Sequence, residues 1–227
     1  RLVKFIQMIK NRLTIIGNGF DLAHGLNTGY GHFLFWYFTE VLEKYSRDFS
    51  YEDPLIKIVA EGARIRPVVS SDNLQSISDI LTVFERINKK IEYKIPFFRH
   101  IVTRIGNVGW VDIEVAYFKS LKSIFNHPSI DSEEKRKSVN RLNAGFRHLT
   151  NKLIEYIIRI NKELSNQCIP IDNPRLNIRN AFKSDPDSQV LFLNFNYTET
   201  LIVNGYSFDN ECLFIHGRAS DVANSPI

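Results

Sequence analysis

The chain has 227 residues, of which 44% are hydrophobic and 24% charged, with a formal net charge of +4. That composition excludes disordered, fibrous and collagen-like classes, and the length suffices to bury roughly 70% of the unfolded surface in one core, or in a core with an insertion. The mild positive balance permits an anionic ligand but, without clustering, does not argue for nucleic acid. No apolar run nears the roughly 20 residues of a membrane helix and no signal peptide is visible, so a cytoplasmic protein is expected.

In chain order, Leu13–Ile16 is a short apolar run that ends abruptly in Gly17-Asn18-Gly19 and leads into residues able to start a helix. That is how a buried parallel strand hands over to a turn able to cradle a phosphate. Glycine permits a sharp bend and close approach to the main chain, and a following helix start favours an anion. Gly31–Tyr45 is aromatic-rich and reads as a helix whose Phe33, Phe35, Trp36 and Phe38 supply core. Asp53–Gly62 and Asp72–Tyr93 carry helical periodicity, with Pro96 read as the end of the latter pattern. Glu114–Phe125 reads as a further helix.

The clearest helix runs from about Ser132, expected as its cap, to Leu164. Val139, Leu142, Phe146, Leu149, Leu153, Tyr156, Ile160 and Leu164 recur there every three or four residues and draw one apolar stripe. Cys168–Arg175 and Lys183–Gln189 read as loops. Cys168 and Cys212 lack metal-ligand or disulfide spacing and read as reduced thiols, and no metal is expected. Val190–Asn194 and Leu213–His216 are two more apolar runs that finish in polar residues. The pattern predicts one α/β domain over 1–227, with its sheet drawn from about 10–30 and 188–227 and a helical insertion at about 31–187. The start at Arg1 and the stop at Ile227, soon after a strand-like run, are compatible with a chain that continues further.

Three polar clusters close the three apolar runs. The first is Gly17, Asn18, Gly19, Phe20 and Asp21 with His24. The second is Asn194, Phe195, Asn196, Tyr197, Thr198, Glu199, Thr200 and Leu201. The third is His216, Gly217 and Arg218. Open α/β sheets bind ligands in the crevice beyond the carboxyl ends of their strands, so three such clusters carry more weight than any single motif. A purely structural reading stands beside this one at each position. Gly17 and Gly19 could only turn the chain, Asp21 could cap a helix that His24 and Gly25 end, and Asn194 and Asn196 could satisfy a turn. His216, like His100, His127 and His148, could be a structural histidine.

The block Ile15–Leu34 (IIGNGFDLAHGLNTGYGHFL), the later Asn194–Leu201 (NFNYTETL) and Phe214–Gly217 (FIHG) resemble the bacterial AbiH family of phage abortive infection. Trp110-Val111-Asp112-Ile113-Glu114 resembles a W-x-D-x-E element of the same family. A more distant resemblance is to sirtuin-like NAD-binding domains, through Gly17-Asn18-Gly19, Gly25-Leu26, Asn196-Tyr197-Thr198 and His216-Gly217. It implies a Rossmann-like parallel sheet in which the backbone of 17–21 holds a pyrophosphate. Asn196 would then orient the nicotinamide ribose or carboxamide and His216 would act as general base, with Asp21 as a further catalytic candidate. The expected cofactor-binding set is Gly17, Asn18, Gly19, Phe20, Asp21, His24, Gly25, Asn194, Asn196, Tyr197, Thr198 and Gly217. Thr198 stands where the sirtuin-like pattern has Asp, Asn27 replaces its Pro, and no zinc-binding cysteine set exists, which argues against deacetylation. The expectation is a phage-defence protein that binds NAD or a related nucleotide, with hydrolysis as its enzymatic form and assembly into a homo-oligomer or with a protein partner left open. The alternatives are a non-enzymatic nucleotide sensor acting on a partner and a nucleic-acid-binding effector.

Overall fold

The structure is a computed structural model that describes residues 10–58, 74–108, 113–166, 188–205 and 211–219. The chain divides into two compact units, one built from 1–28 and 154–227 and the other from 29–153. Each has its own sheet. The loop expected at Cys168–Arg175, together with Trp110, Asp112 and Cys168, lies outside the described residues.

The first unit holds a parallel sheet in the order β1-β5-β6, with β1 at Lys10–Ile16, β5 at Ser188–Asn194 and β6 at Glu211–Phe214. The register pairs Leu13 with Leu191 and Ile16 with Asn194, and then Asn194 with Phe214. All three strands therefore reach their carboxyl ends at one edge. β5 takes in Ser188 and Gln189, which the sequence reading left in a loop. Strand alternation sorts the side chains. Ile16, Val190 and Phe192 are buried together with Leu201, and Phe20 and Cys212 pack against them. On the opposite face Leu13 and Ile15 are 59% and 67% exposed, and Leu213 is exposed as well. Across this sheet both steps, β1 to β5 and β5 to β6, run in one direction.

Around that sheet stand the short α1 (Asn18–Ala23), the last turns of the long α6 (Ser132–Asn166) and the single-turn α7 (Thr200–Val203). α6 crosses from one unit into the other at Ile154. Its end buries Tyr156, Ile157, Ile160 and Leu164. The Tyr156 hydroxyl donates to the Asn27 carbonyl at 2.6 Å, and Asn161 Oδ1 accepts from the Glu199 amide at 3.2 Å. One helix thus pins the loops that follow α1 and β5. The cap of α6 is Asp131, whose carboxylate accepts from the Glu134 amide at 2.8 Å, not the expected Ser132.

In the second unit α2 (Tyr30–Asp48) buries Phe33, Leu34, Tyr37, Phe38, Val41, Leu42 and Tyr45, and Phe98 packs edge-on to Tyr37 at 5.6 Å. The helices expected over Asp53–Gly62 and Asp72–Tyr93 are corrected. The described residues there form a small antiparallel sheet of β2 (Tyr51–Glu52), β3 (Ile56–Ile58) and β4 (Ile91–Tyr93), and α3 covers only Ile77–Arg86. Pro96 does not end a helix; it opens α4 (Pro96–Val108), because proline at a first helical position forfeits no hydrogen bond and arrives with the right φ. α5 follows at Ile113–Phe125.

At the heart of this unit the Asp53 carboxylate accepts from the hydroxyls of Tyr37 (2.7 Å) and Tyr51 (2.8 Å) and from the amides of Leu55 (2.7 Å) and Ile56 (2.9 Å). His148 Nε2 stands 3.2 Å away. Burial alone would push the Asp53 pKa up, but His148, Tyr37, Ile56 and Tyr51 together outweigh it and hold the value down at about 2.

Candidate functional site

All three polar clusters lie in the first unit, and backbone pairing alone explains why they meet. The Phe195 amide donates to the Ile16 carbonyl at 2.9 Å, and the Ile215 amide donates to the Asn194 carbonyl at 2.9 Å. Each bond extends the parallel ladder one step past the strand ends. The Gly17 bend, the Asn194–Thr200 turn and the Ile215–Gly217 turn therefore leave the sheet side by side, although Gly17 and Asn196 are 179 positions apart.

The first bend is unusual in what it does not require. Gly17 has φ −132° and ψ −177°, extended backbone open to any residue. A Cβ at Gly17 or at Gly19 would meet nothing within 4 Å among the described residues, and both residues are exposed. Neither folding geometry nor packing calls for glycine at either place. Gly25 and Gly217 are different, because φ values of +77° and +75° put them in the left-handed region, where a Cβ is penalised. Gly25 follows His24, the C-cap of α1; Gly217 follows His216.

Behind the bend lies a buried polar knot. The Thr198 hydroxyl donates to Asp21 Oδ2 at 2.6 Å, and the Thr200 hydroxyl donates to that of Thr198 at 3.2 Å. Asn196 Nδ2 donates to the Gly17 carbonyl at 3.0 Å, while its amide donates to Asn194 Oδ1 at 2.9 Å. Asp21 is 1% exposed, and its Oδ1 has no hydrogen-bond partner among the described residues. Burial raises its pKa, against the opposing pull of Thr198, Thr200, His24 and Asn196. Asp21 does not cap α1, since the N-cap is Gly17 and no side chain bonds there. At the flank, His24 Nδ1 lies 2.7 Å from the Phe20 carbonyl with its ring 4.3 Å from that of Phe20, and the Thr28 hydroxyl donates to Asn18 Oδ1 at 2.5 Å.

In front of the knot the side chains are open. Phe195, Tyr197 and His216 are all exposed, and the imidazole sits with its centroid 5.6 Å from the Phe195 ring and 5.7 Å from the Tyr197 ring. Arg218 lies over the Phe214 ring at 4.4 Å. Sequence reasoning missed Thr28, Asn161 and Tyr156 as supports, and it placed Thr200 in the polar run 194–200 without giving it a role. Among the described residues no group of three or more His, Cys, Asp or Glu side chains could hold a metal, and no helix is long and apolar enough to cross a membrane.

Fold and edge together define a mixed α/β protein, mostly helical, whose parallel sheet gathers polar turns at the carboxyl ends of its strands. The chain belongs to the bacteriophage abortive infection AbiH family, whose model matches residues 13–226. That membership carries a role in abortive-infection defence against phage. Comparison with curated proteins and with solved structures finds no match.

Proposed function

We propose that the first unit is Rossmann-like and binds NAD or a related nucleotide at the carboxyl edge of its sheet, and that this binding serves the defence role. The observation that carries the reading is the pair Gly17 and Gly19, glycines in a bend that any residue could make, facing open space. Gly19 sits inside α1, where glycine costs roughly 0.5–1 kcal/mol against alanine. What that cost secures is bare backbone, which a pyrophosphate can approach and bond.

The buried knot gives Asp21, Asn196 and Thr198 a common task. They hold the bend against the Asn194–Thr200 turn, so they act on a ligand through the backbone they fix. His216 is the exposed proton acceptor at the edge. In NAD hydrolysis it would draw the proton of a ribose hydroxyl as the bond to nicotinamide breaks and positive charge grows on the sugar, and return it once water adds at the anomeric carbon and releases its own proton to solvent. A second reading, a nucleotide sensor that signals to a protein partner, draws support from the exposure of Leu13, Ile15 and Leu213 on one face of the sheet, since parallel sheets are ordinarily covered on both faces.

Calorimetric titration of the chain with NAD and ADP-ribose, followed by chromatography for released nicotinamide, separates these readings. Binding with turnover that His216→Ala abolishes supports the enzyme. Binding without turnover supports the sensor, and no binding of either compound sinks the proposal.

A further inference from the structure

We infer that the base of the bound nucleotide is taken by stacking on the exposed ring cluster of Phe195, Tyr197 and His216, which makes this edge selective for nucleotides over sugar phosphates that lack a base. The inference rests on the nucleotide reading above. Single apolar side chains scattered on a surface are ordinary. Here Phe195 and Tyr197 are 40% and 41% exposed, and both lean on one imidazole at the edge where the strands end. Backbone bonds hold two of the flanking points: Phe195 to the end of β1, and Ile215, beside His216, to the end of β5.

Spacing decides how a base could be accommodated. The Tyr197 and His216 rings are nearly parallel, 30° apart, with centroids 5.7 Å from one another. One stacked pair occupies about 4.5–7 Å between centroids, so a base slipped between them would need roughly twice the room. The base must therefore lie on an outer face of the pair. Stacking asks nothing of a base's edges, because every base presents a π-face.

The test titrates the chain with AMP and with ribose 5-phosphate, which carries the same sugar and single phosphate but no base. AMP should bind about tenfold to a hundredfold more tightly. Tyr197→Leu should remove most of that advantage and leave ribose 5-phosphate unchanged, while Tyr197→Phe, which keeps the ring, should retain it. Equal affinities for the two compounds, or an AMP affinity that Tyr197→Leu leaves intact, would overturn the stacking and leave the phosphate-binding bend standing. If neither compound binds the unaltered chain, the nucleotide reading falls and the inference with it.

Discussion

Replacing Gly19 with alanine sets stability against binding in a single variant. Gly19 lies in the first turn of α1, its added methyl would meet open space, and no positive φ excludes it. Alanine should therefore stabilise the fold by about 0.5–1 kcal/mol, since it restricts the unfolded chain and favours the helix. For a domain of this size that is a rise in melting temperature of about 1–4 °C. The same methyl stands where a phosphate would approach the main chain, so affinity for ADP-ribose should fall by at least about tenfold, or about 1.4 kcal/mol. Thermal unfolding by circular dichroism and titration calorimetry on the same preparation give both numbers. A variant that is more stable yet binds as before would refute the claim that glycine serves the ligand. A variant that is markedly less stable would refute the claim that the fold does not need glycine there.

Other expectations concern the buried groups. Thr198→Val removes the hydroxyl that donates to Asp21 and should cost about 1.5–3 kcal/mol in urea unfolding; Thr198→Ser should recover most of it, and an equal loss in both would point to packing instead. The raised pKa of Asp21 means that its favourable contribution is present below the unfolded value near 3.8 and lost as pH rises through the folded value. Asp21→Asn should therefore flatten a decline in stability that the unaltered chain shows above about pH 4, and parallel profiles would contradict this. Asp53 behaves oppositely. Its folded value of about 2, against 3.8, is a contribution present above pH 3.8 and lost as pH falls towards 2. Asp53→Asn should cost about 2 kcal/mol at neutral pH and little near pH 2, read from denaturation midpoints at the two pH values.

The parallel sheet was legible because each of its strands is an apolar run ended by polar residues, a pattern that burial on one edge of a ligand crevice enforces. The pairing order was not, since nothing local to Leu13–Ile16 says that its neighbour is Val190–Asn194. The small antiparallel sheet escaped for a different reason. Ile56-Lys57-Ile58 and Ile91-Glu92-Tyr93 alternate with period two, but over three residues that signal drowns in the helical periodicity on either side. Asp53 read only as the first residue of an expected helix. Its partners Tyr37, Tyr51 and His148 are gathered by tertiary packing, which sequence spacing does not encode. At the candidate site the residue types were readable and their division of labour was not. Asp21 and Asn196 look equally exposed and reactive on paper, whereas the fold buries both and leaves His216, Phe195 and Tyr197 outside.

Hydrogen–deuterium exchange of the chain with and without saturating ADP-ribose tests the convergence and the ligand at once. The account predicts slowed exchange in three segments together, around 17–25, 194–201 and 214–217, with the rest of the chain unchanged. Protection confined to one of them, or appearing only in 29–153, would contradict it.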